Sequence, residues 1–193
     1  MIIVNFKKYV TGEKALKLAK ICKKVSEETK VKIIICVQPQ DIYPEIECWS
    51  QKPEDSNLPF LGTLINHSDY PLTREMINNQ CSIINITKCV CINSVEEATA
   101  IAKFNPDYIA YEPHELIGSR DKSVATEKMS NVQYLVSSVR CPILIGAGIH
   151  SPEDIRVGLD LGAKGFLLAT DVVRAVDPEK QLRELAEAFK IQS

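Results

Sequence analysis

The 193-residue chain has no apolar run close to the ~20 residues that a membrane helix needs, so the sequence excludes a spanning helix. It has no excess of charge of one sign either. Twenty-three Lys and Arg against 25 Asp and Glu leave a net charge of −2 and a pI near 6.0. That balance leaves no electrostatic footprint for nucleic acid or an acidic membrane surface. The first residues carry no basic stretch followed by an apolar stretch of the kind that directs secretion. Low-complexity segments and interdomain linkers are missing as well. What remains is the expectation of one soluble, cytoplasmic domain over residues 1–193, whose 45% apolar content suffices for a core.

Cysteine is present but in the wrong arrangement for a disulfide framework. Seven residues (22, 36, 48, 81, 89, 91 and 141) make an odd number, and none forms a Cys-x-x-Cys pair. Cys89-x-Cys91 has the spacing of a strand. Disulfide scaffolds belong to small secreted domains, so these thiols are expected as small buried hydrophobes in a reducing compartment.

Short apolar runs alternate with segments of helical period. Strands are predicted at 2–6, 32–37, 47–50, 61–66, 87–92, 107–111, 142–146 and 165–169, mostly continuous, as strands buried on both faces should be. Helices are predicted at 13–29, 71–80, 94–103, 126–138, 152–161 and 178–190. Ser94 with Glu97 predicts a capping box. Ser151-Pro152 and Asp177-Pro178 each place a capping side chain before a proline at the first helical position. Leu16, Ala19, Ile21, Cys22 and Val25 are expected to form the inward face of helix 13–29.

Eight strands with intervening helices read as an α/β fold, a parallel (β/α)8 TIM barrel, with an open doubly wound sheet as the rival. One side is pared down. Only 23 residues, rich in Pro, Asp, Glu and Ser, separate strand 32–37 from strand 61–66. They must hold a third strand and two crossovers, and one full crossover takes at least about ten to twelve residues. The helices after strands 2 and 3 are therefore reduced or missing.

Polar signatures close several of the apolar runs. Asn5-Phe6-Lys7 follows Ile2-Ile3-Val4, and Asn66-His67-Ser68-Asp69 follows the run ending at Ile65. Glu112-Pro113-His114-Glu115-Leu116-Ile117-Gly118 follows Tyr108-Ile109-Ala110-Tyr111. Gly146-Ala147-Gly148-Ile149 follows Ile143-Leu144-Ile145, and Ala169-Thr170 follows Leu167-Leu168. In a parallel barrel all strand C-termini open on one face, where active sites sit, so these groups would converge. Period-2 spacing puts Asn5 and Lys7 on one side of their strand. No metal-ligand spacing links His67, His114 and His150, and His114 and His150 read as surface residues.

Taken together and in this order, the signatures resemble archaeal-type triosephosphate isomerase from residue 2 to about 185. The resemblance implies an isomerase that interconverts glyceraldehyde 3-phosphate and dihydroxyacetone phosphate by enediol proton transfer, with no cofactor and no metal. It implies Glu112 as the base that moves a proton between adjacent carbons, since desolvation raises a carboxylate's basicity. His67 would polarise the carbonyl as a neutral ring, its pKa lowered by a following helix N-terminus. Lys7 would be a fixed cation beside developing negative charge, with Asn5 reaching the pocket beside it. The phosphate would lie on Ile117, Gly146, Gly148, Ala169 and Thr170, under a lid formed by 113–122.

The chain departs from the family in four places. Asp69 replaces a glutamate after His-Ser. The lid reads Gly118-Ser119-Arg120 where relatives have Gly-Thr-Gly, with Ser123 as its downstream serine. Asp171 stands where a glycine normally follows at the phosphate, either capping the short helix there or facing the ligand. The long third loop, which in the family inserts into a neighbouring subunit and props the Asn–Lys pair, is missing; only Trp49-Ser50-Gln51-Lys52 resembles what should precede it. The resemblance implies a homo-oligomer, while the missing loop leaves a monomer or pairing through other surfaces open. Trp49, Leu58 and Phe60 are expected as exposed apolar residues that form such a contact or plug the open flank. Two further readings stand beside the isomerase: a phosphate-binding barrel of other chemistry, and a non-catalytic or weakly active relative.

Overall fold

Strands buried on both faces need continuous apolar runs, and in the computed structural model, which describes residues 1–189, each of the eight runs becomes such a strand. They are β1 (Ile2–Asn5), β2 (Ile33–Val37), β3 (Cys48–Ser50), β4 (Gly62–Ile65), β5 (Thr87–Ile92), β6 (Tyr108–Tyr111), β7 (Ile143–Gly146) and β8 (Gly165–Leu168). Every neighbouring pair is parallel, and β1 pairs with β8, so the sheet closes on itself in chain order. The fold is a (β/α)8 barrel; the open doubly wound sheet is ruled out by the β1–β8 pairing.

The core has two shells. Inside the barrel, Ile3, Ile34, Trp49, Leu64, Leu144 and Leu167 pack with Cys36, Cys89, Cys91 and Ala110. All eight strands contribute, and the small thiols and Ala110 leave room for the Trp49 indole. Outside, the alternate strand residues pack against helices α1 (Gly12–Thr29), α2 (Arg74–Ile83), α3 (Val95–Ala102), α4 (Val124–Glu127), α5 (Met129–Ser138), α6 (Pro152–Asp160), α7 (Thr170–Val173) and α8 (Pro178–Glu187). All seven cysteines are free and six are buried, Cys141 being half-buried.

Several local expectations need correction. The inward face of α1 is Ala15, Leu18, Ala19, Cys22, Val25 and Thr29, whereas Leu16 is exposed and Ile21 only half-buried. The apolar stripe is thus rotated from the predicted phase. Ser94 and Glu97 do not form a capping box: Glu97 accepts from the Asn93 N–H, one residue too early. Ser151 and Asp154 form a complete one, and Asp177 accepts from the Lys180 N–H at 3.0 Å. The predicted helix 126–138 is broken at Lys128 (φ −126°, ψ 32°) into α4 and α5. The predicted end of the last helix, at Lys190, lies outside the described residues.

The pared flank is as thin as its length requires. Single 3-10 turns, Pro39–Asp41 and Pro53–Asp55, replace the helices after β2 and β3. Trp49 and Phe60 are buried rather than exposed, and only Leu58 shows the expected exposure. Trp49 lies across Gly62, where a Cβ would overlap its ring. Its Nε1–H donates to Glu47 at 2.9 Å, which satisfies the polar edge of a side chain otherwise in the barrel interior. Among the described residues no helix is long and apolar enough to cross a membrane.

Candidate active site

At the C-terminal ends of the strands a pocket of about 430 Å³, counting its open mouth, is lined by Asn5, Lys7, His67, Glu112, Ile117, Gly118, Gly148, Ala169, Thr170 and Asp171, among others. Of the five described non-glycine residues with left-handed backbone, three lie on this face: Lys7 (φ 50°), Asn66 (φ 61°) and Ala147 (φ 74°). Such conformations cost about 1–3 kcal/mol each and persist only where the surroundings over-determine them.

β1 ends at Asn5, so Lys7 is not a strand residue and the period-2 argument fails. What brings it to the pocket is the left-handed turn, which Asn5 stabilises by accepting the Lys7 N–H at Oδ1, 2.9 Å away. The Lys7 ammonium is mostly buried and donates to Asp69 Oδ1 at 3.3 Å.

Asn66 supplies the corresponding turn after β4. Its side chain donates to Cys91 O and accepts from Leu72 N, both at 2.9 Å, which locks the loop that carries His67. The His67 ring is buried. Its Nδ1 faces the Asp69 N–H at 3.2 Å, and a backbone amide can only donate, so the network assigns the neutral ring's proton to Nε2. That Nε2 lies 3.3 Å from Asn5 Nδ2 and 3.9 Å from Glu112 Oε2. With Asn5 Oδ1 committed to Lys7, two donors face each other, and an oxygen between them would accept from both.

The His67 pKa is lowered, as expected, but the cause differs. Burial is the main one, assisted by the Lys7 charge and opposed by Glu112 and Asp69. A single turn closed by Tyr70 N on His67 O follows the histidine, and α2 starts only at Arg74.

Glu112 follows β6 and is buried, with Oε2 lacking any hydrogen-bond partner among the described residues. An unpaired buried acceptor costs about 1–3 kcal/mol, and Glu112 carries this one on the pocket wall. Gly146 stands behind Glu112: a Cβ there would lie 2.8 Å from Glu112 Oε1 and 3.0 Å from Leu167 O. Gly148 has φ +70°, and a Cβ on it would overlap the Lys122 carbonyl.

The segment 113–122 closes one side of the pocket. It turns through a 3-10 helix, His114–Leu116, and a left-handed Gly118, which leaves Ile117 exposed at the pocket edge. Its downstream end is clamped to the loop after β7. Val124 N donates to Ala147 O at 3.1 Å, and the Ser123 hydroxyl donates to buried Asp154. Asp154 also accepts from His150 N at 3.1 Å and Ser151 N at 2.9 Å. His150 is therefore tied into this loop rather than free on the surface. Asp154 escaped the sequence reading because its visible signal was an ordinary cap.

Asp171 is half-buried on the pocket wall, in the first turn of α7. Burial raises its pKa, against the opposing charges of His150 and Arg120. Gln38 and Gln51, also unanticipated, pack beneath Lys7. Gln51 did carry a readable signal, being another polar residue at the end of an apolar strand. Among the described residues, no group of three or more His, Cys, Asp or Glu is placed to hold a metal ion.

Comparison with known proteins adds relatives of near-equal extent. The chain is 35% identical to the triosephosphate isomerase of Methanosarcina barkeri, covering 95% of this chain and 96% of the relative. It is 34% identical to that of Methanocaldococcus jannaschii, covering 96% and 98%. The aligned span with the M. barkeri protein, 215 positions, is longer than the chain itself, as expected if the relatives carry residues that the pared flank lacks. A family model described as thiazole biosynthesis protein ThiG matches residues 115–192. Among solved structures, 3-hexulose-6-phosphate synthase aligns with a TM-score of 0.72 at 13% identity, over 97% of this chain and 98% of that one. Thiamine phosphate pyrophosphorylase from Pyrococcus furiosus aligns at 0.68 and 17%, over 100% and 96%. At such identities these two speak for the barrel alone.

Proposed function

The chain belongs to the triosephosphate isomerase family, and on that premise we propose that it interconverts glyceraldehyde 3-phosphate and dihydroxyacetone phosphate. The observation that carries the reading is the meeting of Glu112 Oε2 and His67 Nε2, 3.9 Å apart, in a pocket shared with Asn5 and Lys7. Glu112 takes a proton from the carbon beside the substrate carbonyl and returns it to the adjacent carbon. His67 Nε2–H and Asn5 Nδ2 donate to the oxygen on which charge develops, and Lys7 stabilises that charge. A neutral imidazole suits this role, because its weak acidity matches that of an enediol. Ile117, Gly148, Ala169 and Thr170 surround the place for the phosphate, with Gly146 keeping space open for the base. The substrate is a small phosphorylated triose, and no step needs a cofactor.

The test is a coupled assay on purified protein with glyceraldehyde 3-phosphate, run beside Glu112→Gln. Wild-type activity that drops by orders of magnitude in the variant supports the reading; equal background rates in both refute it. One observation favours a second reading, a weakly active or non-catalytic phosphate-binding relative: Asp171 stands on the pocket wall. Two unit charges ~4 Å apart at an effective dielectric of ~20 repel by roughly 4 kcal/mol, an upper figure for a half-buried carboxylate. Under this second reading Asp171→Gly lowers KM for the phosphate ester and wild type turns over slowly. An unchanged KM in that variant removes it.

A further inference from the structure

Lys7 holds left-handed backbone beyond the end of its strand, so something must keep it there. Asn5 pins its N–H from one side. From the other side, the Lys7 carbonyl accepts from Gln51 Nε2 at 2.9 Å and from Gln38 Nε2 at 3.4 Å. The second N–H of Gln51 donates to Cys36 O at 3.2 Å, and that of Gln38 donates to Gln51 Oε1. All four amide protons of the two glutamines are thereby engaged. Gln51 is 4% exposed. With both its N–H and its C=O held, the Lys7 peptide has little freedom in either dihedral.

Both glutamines come from the stumps of the shortened crossovers: Gln38 directly follows β2 and Gln51 directly follows β3. The flank that lacks a long loop thus supplies its own support for the turn that carries Lys7. We propose that Gln51, assisted by Gln38, is a positioning residue for Lys7, and that this internal brace leaves one copy of the chain with a complete pocket. The inference rests on the reading of Lys7 as the fixed cation of the site. Gln51 touches no reacting atom and acts only through the lysine.

The experiment is a double-mutant cycle between Gln51→Met and Lys7→Met. Methionine keeps the length and bulk of the side chain and removes its donors. The probe is 2-phosphoglycolate, a phosphate ester with a carboxylate where an enediolate would carry its charge, titrated by calorimetry. Gln51→Met should weaken it about tenfold, and in the Lys7→Met background the same change should cost less than about twofold. Isomerase assays should show kcat falling and KM rising in Gln51→Met at temperatures where the protein is fully folded. A residue with a merely structural role would lower the melting temperature and leave both constants alone. Where Gln51→Met fails to fold, the same cycle with Gln38→Met decides, with a loss of about threefold expected.

Unchanged affinity in the single variant, or an equal loss in both backgrounds, overturns the brace. For the single-copy part, kcat/KM should stay constant as enzyme is diluted from about 10 µM to about 10 nM, and activity that falls with dilution overturns it. Failure of the parent reading is separable. An inactive wild type with the binding cycle intact refutes the isomerase and leaves the brace standing, while a wild type that binds no 2-phosphoglycolate refutes both.

Discussion

Two glycines, two residues apart after β7, should fail in different ways when given a methyl group. At Gly146 the added Cβ meets Glu112 Oε1 at 2.8 Å and Cγ at 2.9 Å, with no left-handed backbone involved. Relief to ordinary contact at about 3.4 Å moves the carboxylate by about 0.6 Å. Since a misplacement of about 1 Å at a reacting group costs about 100-fold, Gly146→Ala should lower kcat about 10- to 100-fold. KM should move little, because the atoms nearest that Cβ belong to Glu112 and the Leu167 carbonyl.

At Gly148 the methyl faces backbone instead of a flexible side chain, the Lys122 carbonyl, and φ is +70°. The left-handed conformation costs about 1–2 kcal/mol with a Cβ, and overpacking adds about 1–3 kcal/mol. A loss of about 3 kcal/mol corresponds to about 6–12 °C in melting temperature for a chain of this size. Gly148→Ala should also raise KM, by displacing the segment that ends at Ser123. The assays are steady-state kinetics on both variants and thermal unfolding of each. If Gly146→Ala keeps kcat within twofold of wild type, or both variants show the same pattern, the division of labour between the glycines is wrong.

Three further outcomes follow from the packing. Burial lowers the His67 pKa below 6.5 in the folded chain, so the folded state favours the neutral ring. Its contribution to stability is whole above the unfolded value near 6.5 and is lost as pH falls through that value toward the lowered one. Urea unfolding of wild type and His67→Gln from pH 8 to pH 5 should show their difference shrink on acidification; a constant difference refutes the linkage. Ser123→Ala should lower stability by about 1–2 kcal/mol and raise KM, since it releases the 113–122 segment from Asp154. Stability and KM that both match wild type count against the clamp. Gly62→Ala should destabilise by about 1–3 kcal/mol through its clash with the Trp49 ring. Trp49→Phe should recover part of that loss, and strictly additive losses in chemical denaturation would show that the two do not meet.

The strands were legible because burial on both faces leaves no choice but continuous apolar residues, and the shortened flank was legible from chain length alone. Helix phase was less so. Leu16 and Ile21 are as apolar as Leu18, and only the packed barrel shows which of them α1 turns inward. The strand-end signatures meet at one pocket, because closure forces strand ends together whatever their separation in sequence. Individual roles were harder to read. Lys7 depends on a turn that period-2 reasoning does not describe, and Gly146 on the position of a carboxylate from a different strand. The Gln51 amide reaches a carbonyl 44 residues earlier in the chain, a pairing without any local sequence mark.

The single-turn crossovers around β3 also say something about how this architecture can change its length. Closure depends on the ladder from β2 through β3 to β4, and Trp49 fills the interior there without a helix outside. The outer coat and the ring are therefore separable at this point. The exposed stretch Asn57–Pro59 bears no part of the ladder, and lengthening a loop costs little, about 0.6 kcal/mol per doubling. That stretch is a seam where segments can be inserted or deleted while the rim that bears the pocket stays in register.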